Sequence, residues 1–444
     1  MMNSLALGAL AVSGALAASS SSYSTSHSTS HSTSHSTSHS TSTTATPVAS
    51  DGPPQPNANT ATLPASVYAA QATAATNTHD SSDVKGKSFD RFVTIWLENT
   101  DYSLAAGDPS LAWLAQYGIQ LDNYFGVTHP SEPNYVAAVG GDNFGIDNDN
   151  FNQIDANVST VMDLLEAKGI TWGTYQEDMP YTGYEGMAWT NQQTGKNDYV
   201  RKHNPPIIYN ENTTPRRLGY QKNLTQFHID LAAEQLPQWI FITPNMTSDG
   251  HDTSVTTAGT WSRNFLEPLL SNDYFMKNTL VLLTFDENES YATANRVFSI
   301  LLGGAVAGHE GTKDASYYNH YSEIATVEAN WNLNTLGRWD VGANVFATVA
   351  AKTGDVVRLN DAVTADEPTV FQNSSYAGPF NSNFAKAPYP APNVNMVSPN
   401  TGRSVLPAIK RTWGNQASIY NNSVTIPDGQ HPPAGYAYNK VSND

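Results

Sequence analysis

The chain has 444 residues, with 22 Lys and Arg against 40 Asp and Glu, so its formal net charge is −18. This acidic balance argues against a nucleic-acid binder, which presents clustered basic side chains to phosphates, and against a polybasic protein of membrane surfaces. Cysteine is absent, which excludes disulfides, cysteine-bound zinc and thiol nucleophiles.

The first 85 residues are predicted to lie outside any folded core. Residues 5–18 form an apolar run of secretory length that ends in small residues, so we interpret residues 1–18 as a signal peptide. A membrane anchor fits less well because the run is short and no Lys or Arg flanks it. Residues 19–85 are rich in Ser and Thr and contain an STSH repeat. A His-rich tract can bind metal, but this composition favours a disordered, O-glycosylated linker.

From residue 86 onwards, apolar runs typical of strands alternate with helical patterns. The pattern predicts strands at residues 91–97, 120–127, 170–176, 238–244, 279–287 and 296–304. It predicts helices at residues 111–118 and 158–169, the second ending at Gly169. Such alternation is typical of an α/β fold whose mostly parallel sheet is covered by helices on both faces. We therefore expect one large domain over residues 86–355, with residues 356–444 packed on it as irregular cover.

Polar residues gather where the predicted strands end. Glu98 and Asn99 follow the first strand, and Asp286 and Glu287 close the strand that starts at residue 279. Ligands of such folds bind beyond the carboxyl ends of the strands, and oxygen ligands suit Ca²⁺, Mg²⁺ or Mn²⁺. One such pair alone is more typical of a turn or helix cap. Two pairs together with Ser131 indicate a site.

Ser131 lies between two prolines, after a predicted strand and before the helical run NYVAAVGG. A serine at such a turn exposes its Oγ beside helix amides, which favour a phosphate or an oxyanion. The GxSxG motif of ordinary serine esterases is absent. Alternatively, Ser131 is only the helix N-cap, with Glu132 compensating the dipole. These residues alone leave both interpretations open.

Several segments of the chain resemble segments of known enzymes. The segment SEPNYVAAVGG resembles the TxPNxxxLxTG nucleophile segment of nucleotide pyrophosphatase/phosphodiesterases. Together with WLENTDY, HPSEPNY, PNMTSDGHD, TFDENES and NHYSEIATVEANWNL, it makes residues 89–333 similar to the secreted fungal acid phosphatases of the phosphoesterase family. That family also contains bacterial acid phosphatases and phospholipases C. The resemblance implies an alkaline phosphatase-like three-layer sandwich.

The resemblance also implies one divalent metal ion, held by Glu98, Asn99, Ser131, Asp286 and Glu287. The metal could be Ca, Mg, Mn or Zn. Some bacterial relatives have two consecutive aspartates at the last two positions, so direct ligation by Glu287 stays open. The chain lacks the complete Asp and His set expected for a second metal.

Further residues are implied around the phosphate: His129, Asn134, His203, His251 and His320. In the implied mechanism the metal lowers the pKa of the Ser131 hydroxyl, so no separate base is required. Ser131 attacks in line to give a phosphoserine, and His203 or His251 protonates the departing alcohol. Asn134 and helix amides would hold the non-bridging oxygens. Asp249 or Asp252 would orient His251, and we expect His228 to be structural.

These inferences predict a secreted acid phosphatase that acts on small phosphate monoesters, without integral membrane association and with a contact to the cell wall through the linker. A phospholipase C that cleaves phosphodiesters and a non-enzymatic cell-wall or adhesion glycoprotein are the alternatives. Sequons overlap the site motifs at Asn245 and Asn288, and we expect at least Asn288 to be unmodified. Glycosylation is expected at the remaining sequons: Asn157, Asn212, Asn223, Asn373 and Asn421.

Overall fold

The structure is a computed structural model, and it describes residues 76, 82, 84–191, 193–359, 374–383, 387–418, 420, 426–427 and 438–440. The predicted signal peptide and nearly all of the predicted linker lie outside the described residues, as do Asn373 and Asn421. In the described part of the chain, no helix is long and apolar enough to cross a membrane.

The strands of the described residues are β1 (Arg91–Leu97), β2 (Ile119–Phe125), β3 (Trp172–Gln176), β4 (Ala188–Thr190), β5 (Asn197–Val200), β6 (Gln221–Asn223), β7 (Trp239–Thr243), β8 (Thr279–Phe285), β9 (Arg296–Leu302), β10 (Thr312–Asp314), β11 (Tyr318–Asn319), β12 (Ser374–Tyr376) and β13 (Tyr438–Lys440). Nine of them form one sheet in the order β10-β2-β9-β8-β1-β7-β3-β6, with β11 also paired to β2. Neighbouring strands within this sheet are parallel, except that β9 is antiparallel to both β2 and β8. Strands β4 and β5, and β12 and β13, form two small antiparallel pairs.

The α-helices of the described residues are α1 (Tyr102–Gly107), α2 (Pro109–Ala115), α3 (Ser131–Gly140), α4 (Val161–Ala167), α5 (Pro215–Leu218), α6 (Thr225–Ala232), α7 (Val255–Leu269), α8 (Asp273–Met276), α9 (Tyr321–Trp331), α10 (Ala347–Thr353) and α11 (Pro407–Trp413). The predicted strands agree with β1, β2, β3, β7, β8 and β9, with ends that differ by up to two residues. Helix α4 is shorter than predicted because Thr160 and Asp163 form a capping box at its start.

Helices cover both faces of the sheet. On one face, Trp96 of β1 packs against Tyr135 of α3, with ring centroids 4.7 Å apart. Its neighbour Ile95 lies on the opposite face, and the strand register through β7 places Tyr175 on that same face. The Tyr175 ring packs against Phe227 of α6 at 5.4 Å. The predicted three-layer α/β architecture is therefore confirmed.

The described parts of residues 356–444 contact the rest of the domain and include the regular helix α11. Val405 is fully buried in the main hydrophobic core. Thr335 exchanges backbone hydrogen bonds with the two residues that flank Val405. The hydroxyls of Tyr376 and Tyr420 both donate to the buried carboxylate of Asp142, which lies just beyond the end of α3.

Candidate active site

The two predicted polar pairs meet at the carboxyl edge of the sheet. Strands β1 and β8 are parallel neighbours in which Leu97 pairs with Phe285, so Glu98 and Asp286 follow them side by side. The backbone N–H of Asp286 donates to the Leu97 carbonyl at 3.1 Å. The side chains of Glu98, Asp286 and Glu287 are all buried. Three buried carboxyl groups thus follow two adjacent strands at this edge, where water cannot solvate their charge.

Ser131 begins α3 and points its hydroxyl into this group of carboxyls. The residue is 3% exposed, and its Oγ donates to Glu98 Oε2 at 2.9 Å. The N-cap is Pro130, and no side chain caps the helix. The interpretation of Ser131 as a mere N-cap is therefore wrong, because its Oγ donates to a carboxylate of β1's end instead of accepting from α3 amides.

Both oxygens of Glu98 are occupied by protein groups. The Tyr135 hydroxyl donates to Oε1 at 2.6 Å, while Ser131 donates to Oε2. His203 Nε2 also lies 3.1 Å from Oε1, but the ring is not aligned for a hydrogen bond. Glu98 is consequently held in one orientation, facing the hydroxyl of Ser131.

The remaining carboxyls lack enough compensating charge. Burial raises the pKa of Asp286 well above its usual value, and the nearby Glu98 raises it further. Burial likewise raises the pKa of Glu287, with Asp286 and Glu98 adding to the effect. Asp286 Oδ2 is buried and has no hydrogen-bond partner. These shifts mark a place where a cation is favourable.

Lys202 is a charged residue of this site that the sequence analysis did not assign. Its Nζ lies 2.8 Å from Asp149 Oδ2 and 3.4 Å from Ser131 Oγ. Burial alone would lower the lysine pKa, but Asp149, Glu98 and Asp286 raise it above its usual value. Its neighbour His203 was the only available signal, since Asp149 lies in a loop without periodic pattern.

His203 and His251 lie near each other, with ring centroids 6.2 Å apart. His203 is buried and stacks on Tyr135 at 4.9 Å, and burial followed by the charge of Lys202 lowers its pKa well below the usual value. The His251 side chain is 31% exposed, and its Nδ1 lies 2.9 Å from Asp252 Oδ1. Asp252, not Asp249, therefore contacts the His251 ring; Asp249 accepts from its backbone N–H at 2.9 Å.

His320, which was predicted to lie beside the phosphate, makes its contacts within the protein. Its Nε2 bonds the backbone carbonyl of Asp286, and its Nδ1 lies 3.2 Å from the Tyr124 hydroxyl. The ring packs on Trp96 at 4.1 Å, and burial lowers the pKa of His320 to about 3. With both nitrogens engaged inside the protein, His320 supports the strand end that carries Asp286 and has no free donor for phosphate.

His129 is also engaged within the protein. Its Nε2 lies 3.1 Å from the backbone oxygen and from the side-chain oxygen of Asn288, and burial lowers the pKa of His129 to about 4. Its ring packs on Tyr291 at 4.0 Å. The predicted contact between phosphate and a protonated His129 is thus not supported by this geometry.

Asn134 likewise serves the loop that carries the serine. Its amide donates to Thr128 O at 2.9 Å, to Pro130 O at 3.3 Å and to Glu287 Oε2 at 3.1 Å, and its oxygen accepts from Val127 N at 2.8 Å. The predicted role in holding phosphate oxygens is therefore replaced by a positional one. Asn134 ties the strand-to-helix loop to Glu287.

The donor set fits a hard cation in its chemistry. Asp286 offers an unpartnered buried oxygen, and Glu287 and Ser131 lie within the same group. Asn99 is half-buried, and no hydrogen bond joins its side chain to this group in the described part of the chain. Over those same residues, no three His, Asp or Glu side chains already converge as a complete ligand set. The metal therefore stays a prediction.

The predicted glycosylation positions differ in their exposure. Asn157 is exposed, whereas Asn223 is half-buried and donates to the Met179 carbonyl at 2.6 Å. Asn212 is fully buried and accepts from Arg217 at 3.0 Å, which leaves no room for a glycan in this fold. The expectation for Asn212 is therefore wrong. His228, expected to be structural, lies half-buried on α6 against Phe265.

Residues 43–334 match the Phosphoesterase family. The chain belongs to this family, as the resemblance implied, and is a hydrolase of phosphoric esters. An acid phosphatase of Aspergillus fumigatus is 51% identical over 78% of this chain and 77% of its own length. A probable acid phosphatase of Kluyveromyces lactis is 52% identical over 76% of this chain and 78% of its own.

More distant proteins are also similar. A phosphatidylinositol-3-phosphatase of Mycobacterium tuberculosis is 28% identical over 56% of this chain and 79% of its own length. A solved structure of an alkaline phosphatase superfamily protein from Vibrio parahaemolyticus shares 11% identity and a TM-score of 0.37, over 59% of this chain and 73% of that one.

Proposed function

We propose that the protein is a secreted, metal-dependent acid phosphatase that hydrolyses phosphate monoesters through a phosphoserine at Ser131. The observation that carries the proposal is the buried Ser131 hydroxyl, which donates to Glu98 at 2.9 Å at the start of α3. A serine in that position has both a proton acceptor and a helix N-terminus beside it. The similar fungal proteins are named acid phosphatases.

In this proposal Ser131 Oγ attacks the phosphorus atom in line with the departing alcohol. The hydroxyl proton passes to Glu98 Oε2, the Oγ–P bond forms, and the ester P–O bond breaks. Water then attacks the phosphoserine, and Glu98 returns its proton to Ser131 Oγ as phosphate leaves. Tyr135 holds Glu98 in place throughout, because its hydroxyl occupies the other carboxylate oxygen at 2.6 Å.

His251 is the better candidate for the proton donor to the leaving alcohol. Its ring is partly exposed and is oriented by Asp252 at 2.9 Å, so it can face an incoming ester. His203 is buried, and burial lowers its pKa well below the usual value, which disfavours the protonated ring that a proton donor needs. After the His251 ring has protonated the alcohol, it can accept a proton from the water that attacks the phosphoserine, which restores the starting state of the ring.

A divalent metal is part of the proposal. We assign it to Asn99, Ser131, Asp286 and Glu287. Glu98, the remaining predicted ligand, lies beside them and serves in this proposal as the acceptor of the Ser131 proton. When bound, such an ion lowers the pKa of a ligated hydroxyl and offsets phosphate charge. The unpartnered Asp286 Oδ2 and the raised pKa values of Asp286 and Glu287 support a cation here.

Secretion, glycosylation at the accessible sequons and a contact with the cell wall through residues 19–85 belong to the same proposal and rest on the sequence alone. An acidic working pH is consistent with the buried acids of the fold. Burial raises the pKa of Glu177 and of Glu323 to about 8, so both are neutral in acid and the fold carries less unpaired charge there.

The decisive experiment combines an assay with chemical trapping. Purified enzyme is incubated with p-nitrophenyl phosphate and quenched in acid, and its peptides are searched for phosphorylated Ser131 by mass spectrometry. We expect turnover in acid and a phosphopeptide that contains Ser131. Turnover of phosphatidylcholine but not of p-nitrophenyl phosphate would support the phospholipase C alternative. Absence of turnover on either substrate by metal-loaded enzyme would contradict the proposed function.

A further inference from the structure

Lys202 is built into the site by contacts on both of its sides. Its Nζ lies 3.4 Å from Ser131 Oγ and 2.8 Å from Asp149 Oδ2. The other oxygen of Asp149 accepts from the backbone N–H of Glu132 at 3.0 Å, in the first turn of α3. Asp149 therefore ties the lysine to the same helix turn that carries the proposed nucleophile.

The Lys202 side chain is largely buried, whereas its partner Asp149 is partly exposed. The Lys202 side chain is 12% exposed, whereas that of Asp149 is 32% exposed. Water screens a positive charge in this position poorly, so the electrostatic attraction between Lys202 and an anion bound at Ser131 would be strong. Part of the Asp149 carboxylate, by contrast, stays hydrated and can tolerate loss of its partner.

The distance to Ser131 Oγ decides what Lys202 can contact. A phosphoryl group joined to that Oγ carries its three remaining oxygens about one P–O bond further out, within reach of an ammonium group 3.4 Å from Oγ. During monoester transfer the charge is spread over three equatorial oxygens. In a diester, one of these oxygens carries an alkyl group and no charge. A fixed ammonium group therefore stabilises a monoester more than a diester.

We propose that Lys202, held by Asp149, determines the preference of this enzyme for phosphate monoesters over diesters. The proposal rests on the proposed function, because it takes phosphoryl transfer to Ser131 as its reaction. Lys202 contacts the equatorial oxygen that distinguishes the two substrate classes, and Asp149 is a positioning residue that acts through Lys202.

The test measures kcat/KM of metal-loaded enzyme on p-nitrophenyl phosphate and on methyl p-nitrophenyl phosphate, which share a leaving group. Lys202→Met removes the charge and keeps much of the side-chain volume, and Lys202→Arg keeps the charge. The matched control is Lys313→Met, since Lys313 also pairs with an aspartate, Asp122 at 3.2 Å, but lies 62% exposed on the edge strand β10. Thermal melting of each variant reports folding.

We expect Lys202→Met to lower monoester kcat/KM by about 100-fold or more, as loss of one transition-state donor does, and diester kcat/KM by less than about tenfold. Lys202→Arg should restore most of the monoester activity, and Lys313→Met should resemble the wild type. Asp149→Asn should lower monoester activity by a smaller factor, mainly through KM. Equal losses on both substrates by folded Lys202→Met, or no loss on either, would overturn the proposal.

Inorganic phosphate gives a second readout that also works where wild-type diester turnover is too slow to measure. Its inhibition constant should rise at least tenfold in Lys202→Met, and an unchanged constant would count against the lysine contact. Failure of the proposed function is recognised separately. In that case the wild-type enzyme itself turns over no monoester, whereas failure of this inference alone leaves an active wild type with an unchanged substrate preference in Lys202→Met.

Discussion

Glu323 of α9 is a buried carboxyl group through which the stability of the fold should depend on pH. Its side chain lies under the sheet, where the Trp96 indole donates to Oε1 at 3.0 Å and the Tyr124 hydroxyl donates to the same oxygen at 3.1 Å. Burial raises the pKa of Glu323 from 4.5 to about 8, and these hydrogen bonds offset only part of that rise. Between those two pH values the folded chain holds a proton that the unfolded chain releases.

The sign and size of the effect follow from proton linkage. The stabilisation is fully present below pH 4.5 and is lost as the pH rises through about 8, because the unfolded state binds fewer protons in that range. The difference of 8 − 4.5 = 3.5 pKa units, at about 1.36 kcal/mol for each unit, corresponds to about 5 kcal/mol. Glutamine cannot ionise but still accepts both hydrogen bonds, so Glu323→Gln should remove this dependence.

Thermal unfolding followed by calorimetry between pH 4 and pH 9 tests this expectation. We expect Glu323→Gln to match the wild type near pH 4 and to be more stable at pH 8, by up to about 10 °C if each kcal/mol shifts Tm by about 2 °C. Glu267→Gln is the control, since Glu267 is 49% exposed in its pair with Arg263. If the Tm values of Glu323→Gln and wild type change equally with pH between pH 4.5 and pH 8, Glu323 is not the source of this pH dependence.

Ser131→Ala should lower kcat by on the order of 10³ or more with the fold intact. The control Ser262→Ala removes a buried α7 hydroxyl that donates to a backbone carbonyl at 2.8 Å, and it should leave kcat unchanged. Both kcat and Tm are measured on the two variants, and near-normal turnover by Ser131→Ala would exclude the serine as nucleophile. Asp286→Ala should lose bound metal and activity together; elemental analysis that finds full metal occupancy in the folded variant would rule out the metal site as proposed. His251→Asn should slow alkyl phosphates by about 10² or more but p-nitrophenyl phosphate much less, because a good leaving group needs little protonation; equal slowing on both substrates would argue against His251 as the acid.

The sequence predicted the central strands well because they are buried on both faces. Strand β1 is a continuous apolar run with all seven residues buried, and its predicted bounds agree with the structure. The end of β8 was placed two residues too late, but the register with β1 still sets Asp286 beside Glu98. The apolar pattern of the strands was therefore enough to predict that Glu98 and Asp286 lie together at the carboxyl edge of the sheet.

The polar contacts of the site could not be predicted in the same way. Asn134, His129 and His320 have the residue types of phosphate ligands, yet the Asn134 amide, the His129 Nε2 atom and the His320 Nε2 atom contact protein groups that only the fold brings near. The role of Lys202 was not predicted, because it depends on a contact that only the fold creates. Its role depends on Asp149, which is 53 residues away along the chain and lies in an irregular loop.

The tail that covers the domain has a consequence for where the protein can be cut. The family match ends at residue 334, but Val405 fills the core beyond it, and Tyr376 and Tyr420 satisfy a buried carboxylate at the end of the helix that begins with Ser131. A chain that stops at residue 334 would lack Val405 in its core and would deprive the Asp142 carboxyl group of both tyrosine donors. Val405, Tyr376 and Tyr420 therefore belong to the same folded unit as α3, and truncation at residue 334 should inactivate the enzyme although every residue proposed to contact the substrate is kept.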